Sequence, residues 1–487
     1  MIKKILLVLL GALLMLLTIL LVNTFRLDNT QIEAGQIEEV NRDRGGMLER
    51  FSRALRYQTI SGDNIDVRNT EEFHRFLDFI NEAYPLTHSR LEQTMFNDLT
   101  PLYFWEGTDP SLDPVLLMGH YDVVPVDSTD IDAWVHEPFS GEVADGYIWG
   151  RGTLDNKNNV MILLETAEYL LENEYQPERS IYMIFGHDEE IGGYDGAQAV
   201  ARYFQQQNTR LHYVLDEGGL VIDGVLPVGR PIAIIGVAEK GYLSLELVAR
   251  STGGHSSMPS ADKSVVKLSQ ALVNLDQNPF PARIDGATEK MFDSIGNKLP
   301  FTLQVLYANR WLTDGLMKNR MSADASTSAL IRTTTAPTML RAGVKDNVLP
   351  TEARAIVNFR LLPGDTFESV KNHVRNVIDD ESIIIREYET ISTQPSAVSS
   401  VQGSVYRSLQ ESIMGHFQDV YVSPYLVVEA TDSRHFIPMA DNVYRFAAIE
   451  MDIEETGMIH GTNERIGVGT YLDSIRFYVD FIRKTTE

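Results

Sequence analysis

Val115-Leu116-Leu117-Met118-Gly119-His120-Tyr121-Asp122 is the stretch on which the fold turns. A short unbroken apolar run that ends in glycine, an imidazole and a carboxylate reads as a strand buried on both faces that stops at a polar loop. The pattern recurs at 181–185, followed by Gly186-His187-Asp188-Glu189-Glu190, and at 212–215, followed by Asp216-Glu217-Gly218-Gly219. Between the first two runs, Val160, Leu163, Leu164, Ala167, Leu170 and Leu171 fall on one helical face. Strand, helix, strand with buried strands describes an α/β sheet covered on both sides. Ligands of such sheets gather at the carboxyl ends of the strands. His120, Asp155, the Glu189-Glu190 pair and Asp216 all stand at such ends or in the loop just beyond, so they read as one site.

Beyond Lys240 the period changes. Leu243, Leu245, Leu247 and Ala249 alternate with polar or flanking positions as in a half-buried strand, and Val265, Leu268, Leu272 and Leu275 then share a helical face. The pair repeats: Ala355, Val357, Phe359 and Leu361 line one face of a strand with Asn358 and Arg360 opposite, and Phe367, Val370, Val374, Val377 and Ile378 make an amphipathic helix. Two strand–helix pairs predict a small α/β sandwich over 240–389, inserted into a larger α/β domain formed by 44–239 and 390–487. The stretch 278–336 shows no clear period. From 401 the α/β character returns, and a helix is expected over 471–483.

With 487 residues, two domains are the default. The net charge of −26 leaves no basic excess to displace counterions, which excludes nucleic acid as a partner. The chain has no cysteine, so disulfides and thiolate metal sites are excluded and any metal must sit on His, Asp and Glu. Lys3 and Lys4 precede an apolar run over 5–22 that is long enough to span a bilayer as a helix, with no small-x-small cleavage site before Arg26. Residues 1–24 are therefore expected to be an uncleaved transmembrane signal anchor, and 25–43 a polar tether. The lysines stay on the cytoplasmic side, which places the rest outside the cytoplasm, periplasmic or extracellular, or secreted if the segment is cleaved.

Imidazole and carboxylate are the ligands that suit zinc when thiolate is absent, and cobalt or manganese accept the same set. Two adjacent metals need a bridging carboxylate, terminal ligands and a base that is not itself a ligand. His120 follows a strand, and Asp122, two residues on, faces the same side and can fix the imidazole tautomer. Asp155 starts the long helix and reads either as a metal ligand or as a helix cap. Adjacent residues of an extended segment point apart, so one of Glu189 and Glu190 can bind metal while the other turns to water. Asp216 ends its strand, with Glu217 next to it as the other candidate; His460 is a lone imidazole among small and polar residues.

Taken in order, Gly119-His120-Tyr121-Asp122-Val123-Val124-Pro125, Gly150-Arg151-Gly152-Thr153-Leu154-Asp155-Asn156-Lys157, Gly186-His187-Asp188-Glu189-Glu190, Asp216-Glu217-Gly218-Gly219, Thr431-Asp432-Ser433-Arg434-His435-Phe436 and His460-Gly461-Thr462-Asn463-Glu464 resemble the zinc-dependent M20 family of metallopeptidases and aminoacylases. The likeness is to its carboxypeptidase S branch and the secreted N-acyl-amino-acid hydrolases, and it spans nearly the whole chain after the tether. It implies a zinc-peptidase-like mixed sheet flanked by helices, with an inserted lid domain. It also implies two zinc ions: one on His120, Asp155 and Asp216, the other on Asp155, Glu190 and His460, with Asp155 bridging. Some relatives use the acid at the position of Glu217. Glu189 becomes the general base and then the general acid, and the Asp155-Asn156 peptide is expected to be cis. Gly253-Gly254-His255-Ser256-Ser257-Met258-Pro259 resembles the family's lid motif, in which His255 stabilises an oxyanion, often from a partner subunit of a homodimer. Asn347 and Arg360 match a pair that holds the substrate carboxylate. The expected substrate is thus a peptide or N-acyl amino acid with a free C-terminus. A catalytically silent, membrane-anchored binding ectodomain and a two-metal phosphoesterase are the alternatives.

Overall fold

The computed structural model describes every residue except 34, 36, 38, 63–68, 389–391 and 418, so the expected domain boundary at 389/390 and part of the tether lie outside the described residues. The main sheet contains β1 (Glu92–Phe96), β2 (Thr100–Trp105), β3 (Val115–His120), β4 (Ile181–Gly186), β5 (Tyr213–Asp216), β6 (Val221–Asp223), β7 (Ile232–Glu239), β8 (Tyr421–Val427), β9 (Val443–Arg445) and β10 (Glu450–Asp452). Its order is β1-β2-β4-β3-β5-β9-β7-β6-β10, with β8 beside β7. The centre is parallel: β3 pairs with β4 and β5, and β5 with β9. The antiparallel β1–β2 ribbon closes one side, so the sheet is mixed. All residues of β3 are buried, which is why that run is apolar without alternation. His120 stands in register with Gly186, which brings the carboxyl ends of β3 and β4 together.

The helix Lys157–Glu172 packs on β3 with the predicted face, but its other side is buried too. The C-terminal helix Val468–Thr486 covers it, longer at both ends than the periodicity predicts. Polar residues survive at that seam because they are bonded: Asn159 donates to the Met118 carbonyl at 2.7 Å and accepts from the Tyr478 hydroxyl at 2.7 Å.

The strands Gly241–Arg250, Thr334–Ala342, Glu352–Leu361 and Ile384–Glu387 form a separate antiparallel sheet. The helices Ser264–Gln277 and Phe367–Ile378 cover one face of it, the second capped by Thr366 and Ser369 in reciprocal hydrogen bonds. Within 240–389 the packing is divided. The part without a readable period folds as the helices Gly286–Ile295, Phe301–Ala308, Arg310–Met321 and Ala325–Ala329. Ile284, Met291, Phe292, Ile295 and Ile331 join the core of the main sheet, not that of the small one.

The apolar N-terminal run is one helix, Ile2–Phe25, whose 18-residue apolar window has no buried residue and a mean hydropathy of 3.2. By length and composition it can enter a membrane as a signal sequence or an anchor. The segment behind it, expected to be a loose tether, is docked where it is described. The Gln31 side chain donates to the Val422 carbonyl at 2.9 Å and accepts from the Val422 amide at 2.8 Å, and Ile37 is buried. Arg42 and Arg50 both pair with the fully buried Glu165, at 2.7 and 2.6 Å.

Candidate metal centre

Asp155 is the middle of the cluster. Its Oδ1 lies 2.9 Å from His120 Nε2 and its Oδ2 lies 3.0 Å from His460 Nε2. Glu217 Oε1 approaches His120 Nε2 to 3.1 Å, and Glu190 Oε2 approaches His460 Nε2 to 3.2 Å. One carboxylate thus faces two imidazoles, each of which faces a further acid. Glu189 lies farther off, its Oε2 4.0 Å from His120 Nε2 and its Oε1 4.0 Å from Arg434 Nη1. The peptide between Asp155 and Asn156 is cis.

Each group is held by the loop chemistry at a strand end. His120 Nδ1 sits 3.0 Å from the Asp122 carbonyl and 3.2 Å from its carboxylate, which keeps the proton on Nδ1 and leaves Nε2 free. The same carboxylate accepts the Glu189 and Glu190 amides, both at 3.2 Å, and so ties the strand end of β3 to the acid pair. That pair is not extended, as adjacent outward-pointing residues would require. It forms a 3₁₀ turn, Glu189–Ile191, and both side chains reach the cluster. Gly193 closes the turn at φ 64°, where a Cβ would stand 1.9 Å from Asp432 Oδ1, so no side chain fits. Asp188 holds the loop behind, accepting from the Asp195 and Gly196 amides at 2.8 and 2.9 Å.

Among the expected site residues, the structure brings His120, Asp122, Asp155, Glu189, Glu190 and His460 together. Of the two adjacent acids, the Asp216 carboxylate accepts the Ser433 amide at 2.8 Å, while Glu217 approaches His120 at 3.1 Å. Neighbours at a strand end face opposite ways, and the pairing of Asp216 with Arg445 in β9 sets which one turns inward. The lid residues stand apart from the cluster, with no hydrogen bond or ion pair to it among the described residues. His255 is exposed on the two-residue strand Gly254–His255, and its Nδ1 accepts from Ser257. Asn347 is next to it, its carbonyl accepting the Ser256 amide at 3.1 Å. Arg360 lies over the Tyr242 ring at 4.7 Å, with its Nη1 buried and without a hydrogen-bond partner.

Sequence reasoning assigned no role to Glu464, four residues beyond His460 in the quoted motif. It is fully buried, pairs with Arg151 at 2.6 Å, and accepts from the Gly152, Leu154 and Asp155 amides at 3.0, 2.8 and 3.2 Å. It thereby staples the His460 loop to the Asp155 loop. Its only sequence signal is its place in the motif.

The cluster is short of positive charge. Burial pushes Glu189 well above the usual carboxylate range, against the pull of His120, and pushes Glu217 up to about 8. His460 is raised to about 10 by its hydrogen bonds to Asp155 and Glu190. His120 is raised too: burial opposes its charge, but Glu217, Asp122 and Asp155 outweigh burial. Glu190 Oε1 is buried without a hydrogen-bond partner. A cation between these groups would relieve the same acids that raise the two imidazoles, so metal binding there would compete with protons. His120, Asp155 and Glu190 offer ligand atoms all within 4.8 Å of one another, as do His120, Glu189 and Glu217. Nitrogen and carboxylate donors in this arrangement fit divalent zinc, cobalt or manganese.

A mixed α/β sheet with a histidine–carboxylate cluster at its strand ends defines a metal-dependent hydrolase. Residues 116–484 match the model of peptidase family M20/M25/M40. The chain is 37% identical over 444 residues to "Probable carboxypeptidase S-like 2" of Dictyostelium discoideum, covering 90% of this chain and 85% of that one. It is 35% identical over 485 residues to "N-fatty-acyl-amino acid synthase/hydrolase PM20D1" of Xenopus tropicalis, covering 97% and 93%. Among solved structures, the M20 family metallo-carboxypeptidase Sso-CP2 from Sulfolobus solfataricus superposes with a TM-score of 0.63 at 20% identity, covering 90% of this chain and 98% of that one, a likeness of fold. The protein belongs to the M20 family and is a metal-dependent peptidase or amidohydrolase.

Proposed function

We propose that the protein hydrolyses an amide bond whose leaving side carries a free carboxylate, as a carboxypeptidase or an N-acyl-amino-acid hydrolase. The observation that carries this reading is the division of the Asp155 oxygens between His120 and His460, at 2.9 and 3.0 Å. A carboxylate placed this way could serve two ions at once. His120, Asp155 and Glu217 would hold one, and Asp155, Glu190 and His460 the other, with zinc the best match and cobalt or manganese accepted. When bound, the ions supply Lewis acidity toward the amide carbonyl and lower the pKa of water.

Glu189 is left outside both ligand sets and acts as the general base. Burial raises its proton affinity, so it can take a proton from the attacking water and return it to the leaving nitrogen. Asp122 positions it by holding its amide and fixes the His120 tautomer. Arg360, with a buried and unpartnered Nη1, binds the substrate carboxylate together with Asn347, and His255 stabilises the oxyanion once the lid closes, in the same chain or across a homodimer. The small sheet serves as the lid and the main sheet as the catalytic domain. The two relatives' names, a carboxypeptidase and an N-fatty-acyl-amino acid hydrolase, share an amide beside an amino-acid carboxylate. The N-terminal helix directs the chain to the secretory pathway and holds the enzyme on a membrane, facing away from the cytoplasm.

The test combines metal analysis with turnover of dipeptides, N-acyl amino acids and a phosphoester by the native enzyme and Glu189→Gln. Amides with a free carboxylate are expected to be cleaved and the phosphoester left intact. Glu189→Gln should keep its metal and lose about 10²–10⁴-fold in kcat. Near-native turnover by that variant with metal bound would remove Glu189 from the chemistry, and no turnover of any amide by the native enzyme would leave a binding ectodomain.

A further inference from the structure

The helices Phe301–Ala308 and Arg310–Met321 are apolar on two sides. Inward, Leu303, Leu306, Met317 and Met321 line a cavity of about 610 Å³ together with Met291 and Tyr425. Outward, Phe301, Trp311, Leu312 and Leu316 are 50, 63, 54 and 59% exposed. A soluble helix that packs on a core keeps its outer face polar, and an outward cluster of Phe301, Trp311, Leu312 and Leu316 departs from that rule even though Arg310–Met321 also carries Asp314, Lys318 and Arg320.

The N-terminal helix bears on what lies against that face. Asn309, fully buried between the two helices, donates to the Leu20 carbonyl at 3.1 Å and its Oδ1 accepts from the Asn23 side-chain Nδ2 at 2.9 Å. The Phe25 and Phe301 rings lie 6.3 Å apart. The helix pair is therefore fastened to the last turns of Ile2–Phe25, while residues before them extend free of the body. A helix of that length rises about 36 Å, close to the ~30 Å of a bilayer's hydrocarbon core plus part of one headgroup layer. Its C-terminal end then sits at the membrane surface, and whatever is clamped to that end sits there too. Arg310 and Lys318 are paired with Asp314 at 3.3 and 2.6 Å, so the outward face offers its apolar side chains with its nearest charges already balanced. Trp311 is of the residue type that prefers this depth.

We propose that the pair Phe301–Ala308 and Arg310–Met321 is an interfacial membrane contact, laid on the same bilayer that Ile2–Phe25 enters. It rests on the reading of Ile2–Phe25 as a bilayer-inserted helix, and it orients the body by a second point of attachment. The surface is a lipid one, not a seat for another protein.

The probe is Trp311 in the full-length protein reconstituted into phosphatidylcholine vesicles with brominated acyl chains. The other tryptophans, Trp105, Trp134 and Trp149, are 6, 9 and 6% exposed within the main body and serve as an internal reference. The emission lost on Trp311→Phe defines the Trp311 signal. At least twofold quenching of that signal by brominated over ordinary lipid is expected, with the reference unchanged. Leu312→Ser with Leu316→Ser should reduce that quenching at least twofold. Protein that floats with vesicles while Trp311 stays unquenched overturns this inference and leaves the anchor reading intact. Protein that fails to float overturns both. A Trp311-dependent cross-linked dimer without quenching would make the face a subunit contact and also overturn it. None of these results bears on the amide-hydrolase reading, which the Glu189→Gln assay tests separately.

Discussion

Asp155 Oδ2 stands 3.0 Å from His460 Nε2, although 304 positions of chain separate the strand-side loop from the C-terminal motif. The other oxygen of that carboxylate faces His120 at 2.9 Å. Removing one oxygen's charge while keeping its shape should therefore disturb both halves of the centre at once. Asp155→Asn is expected to bind at most one metal per chain instead of two and to lose at least ~100-fold in activity, more than outer-shell changes cost. Elemental analysis after gel filtration, alongside turnover, checks this. Two retained equivalents at native affinity would contradict a bridge.

Glu217 and Asp216 are adjacent, yet only Glu217 meets His120, at 3.1 Å. Glu217→Gln is expected to lose metal from the His120 side and with it most activity. Asp216→Asn should keep metal affinity within a few-fold, and its weakened hydrogen bond to the Ser433 amide costs about 1 kcal/mol of stability. Metal titrations of the two variants side by side distinguish them. Loss of metal from Asp216→Asn alone would restore Asp216 as the ligand.

Arg360 carries a buried guanidinium nitrogen with no hydrogen-bond partner. If a substrate carboxylate takes it, Arg360→Ala removes a charge-assisted bond worth about 1.5–3 kcal/mol. KM for N-acyl amino acids should rise roughly 10–100-fold by that energy, and Arg360→Lys should recover only part of it, because lysine lacks the planar fork. An unchanged KM, or an equal loss on substrates with the carboxylate amidated, would count against the clamp.

His416 bears on stability alone. It packs edge-on against Phe417 and Phe477, with ring centroids 4.5 and 6.3 Å away, and its Nδ1 is buried without a partner. Burial pulls its pKa down to about 4 from an ordinary value of 6.5. Between those values the unfolded chain binds the proton that the folded chain refuses. Stability contributed above pH 6.5 is therefore lost as the pH falls toward 4. His416→Gln should flatten this part of the acid sensitivity by about 1–3 kcal/mol. Urea unfolding midpoints of both proteins at pH 7, 5.5 and 4.5 measure it, and parallel curves would show that His416 does not titrate there.

The elements that could be read from local pattern were those with one dominant period. β3 and β4 are apolar because both faces are covered, and the two helices of the small sheet are amphipathic because one face is. In 278–336 the signal is broken: Phe301–Ala308 has almost no polar face and Ala325–Ala329 is a single turn, while Gly286–Ile295 buries Ala287, Met291 and Ile295 on one face over only ten residues. Glu189 and Glu190 were legible as a pair, but their 3₁₀ turn was not, since it depends on Asp122 gathering both amides from another strand. Gln31 and Arg42 looked like tether because their partners, Val422 and Glu165, lie far along the chain.

By itself the sequence determined the chemical inventory and its placement: imidazoles and carboxylates, without thiols, each just past a strand or at a helix start, and an apolar N-terminal helix. These are local properties, set by side-chain type and by where an apolar run stops. Tertiary structure decided which atoms meet. The parallel pairing of β5 with β9 places Asp216 against Arg445 and so sets which strand-end acid turns inward, and Glu464 holds the Asp155 and His460 loops at one distance. It also leaves an exposed apolar face on the helix pair beside Phe25, joined to the N-terminal helix by Asn309 on Leu20 and Asn23. Contacts of this kind join residues hundreds of positions apart, and no local period encodes them.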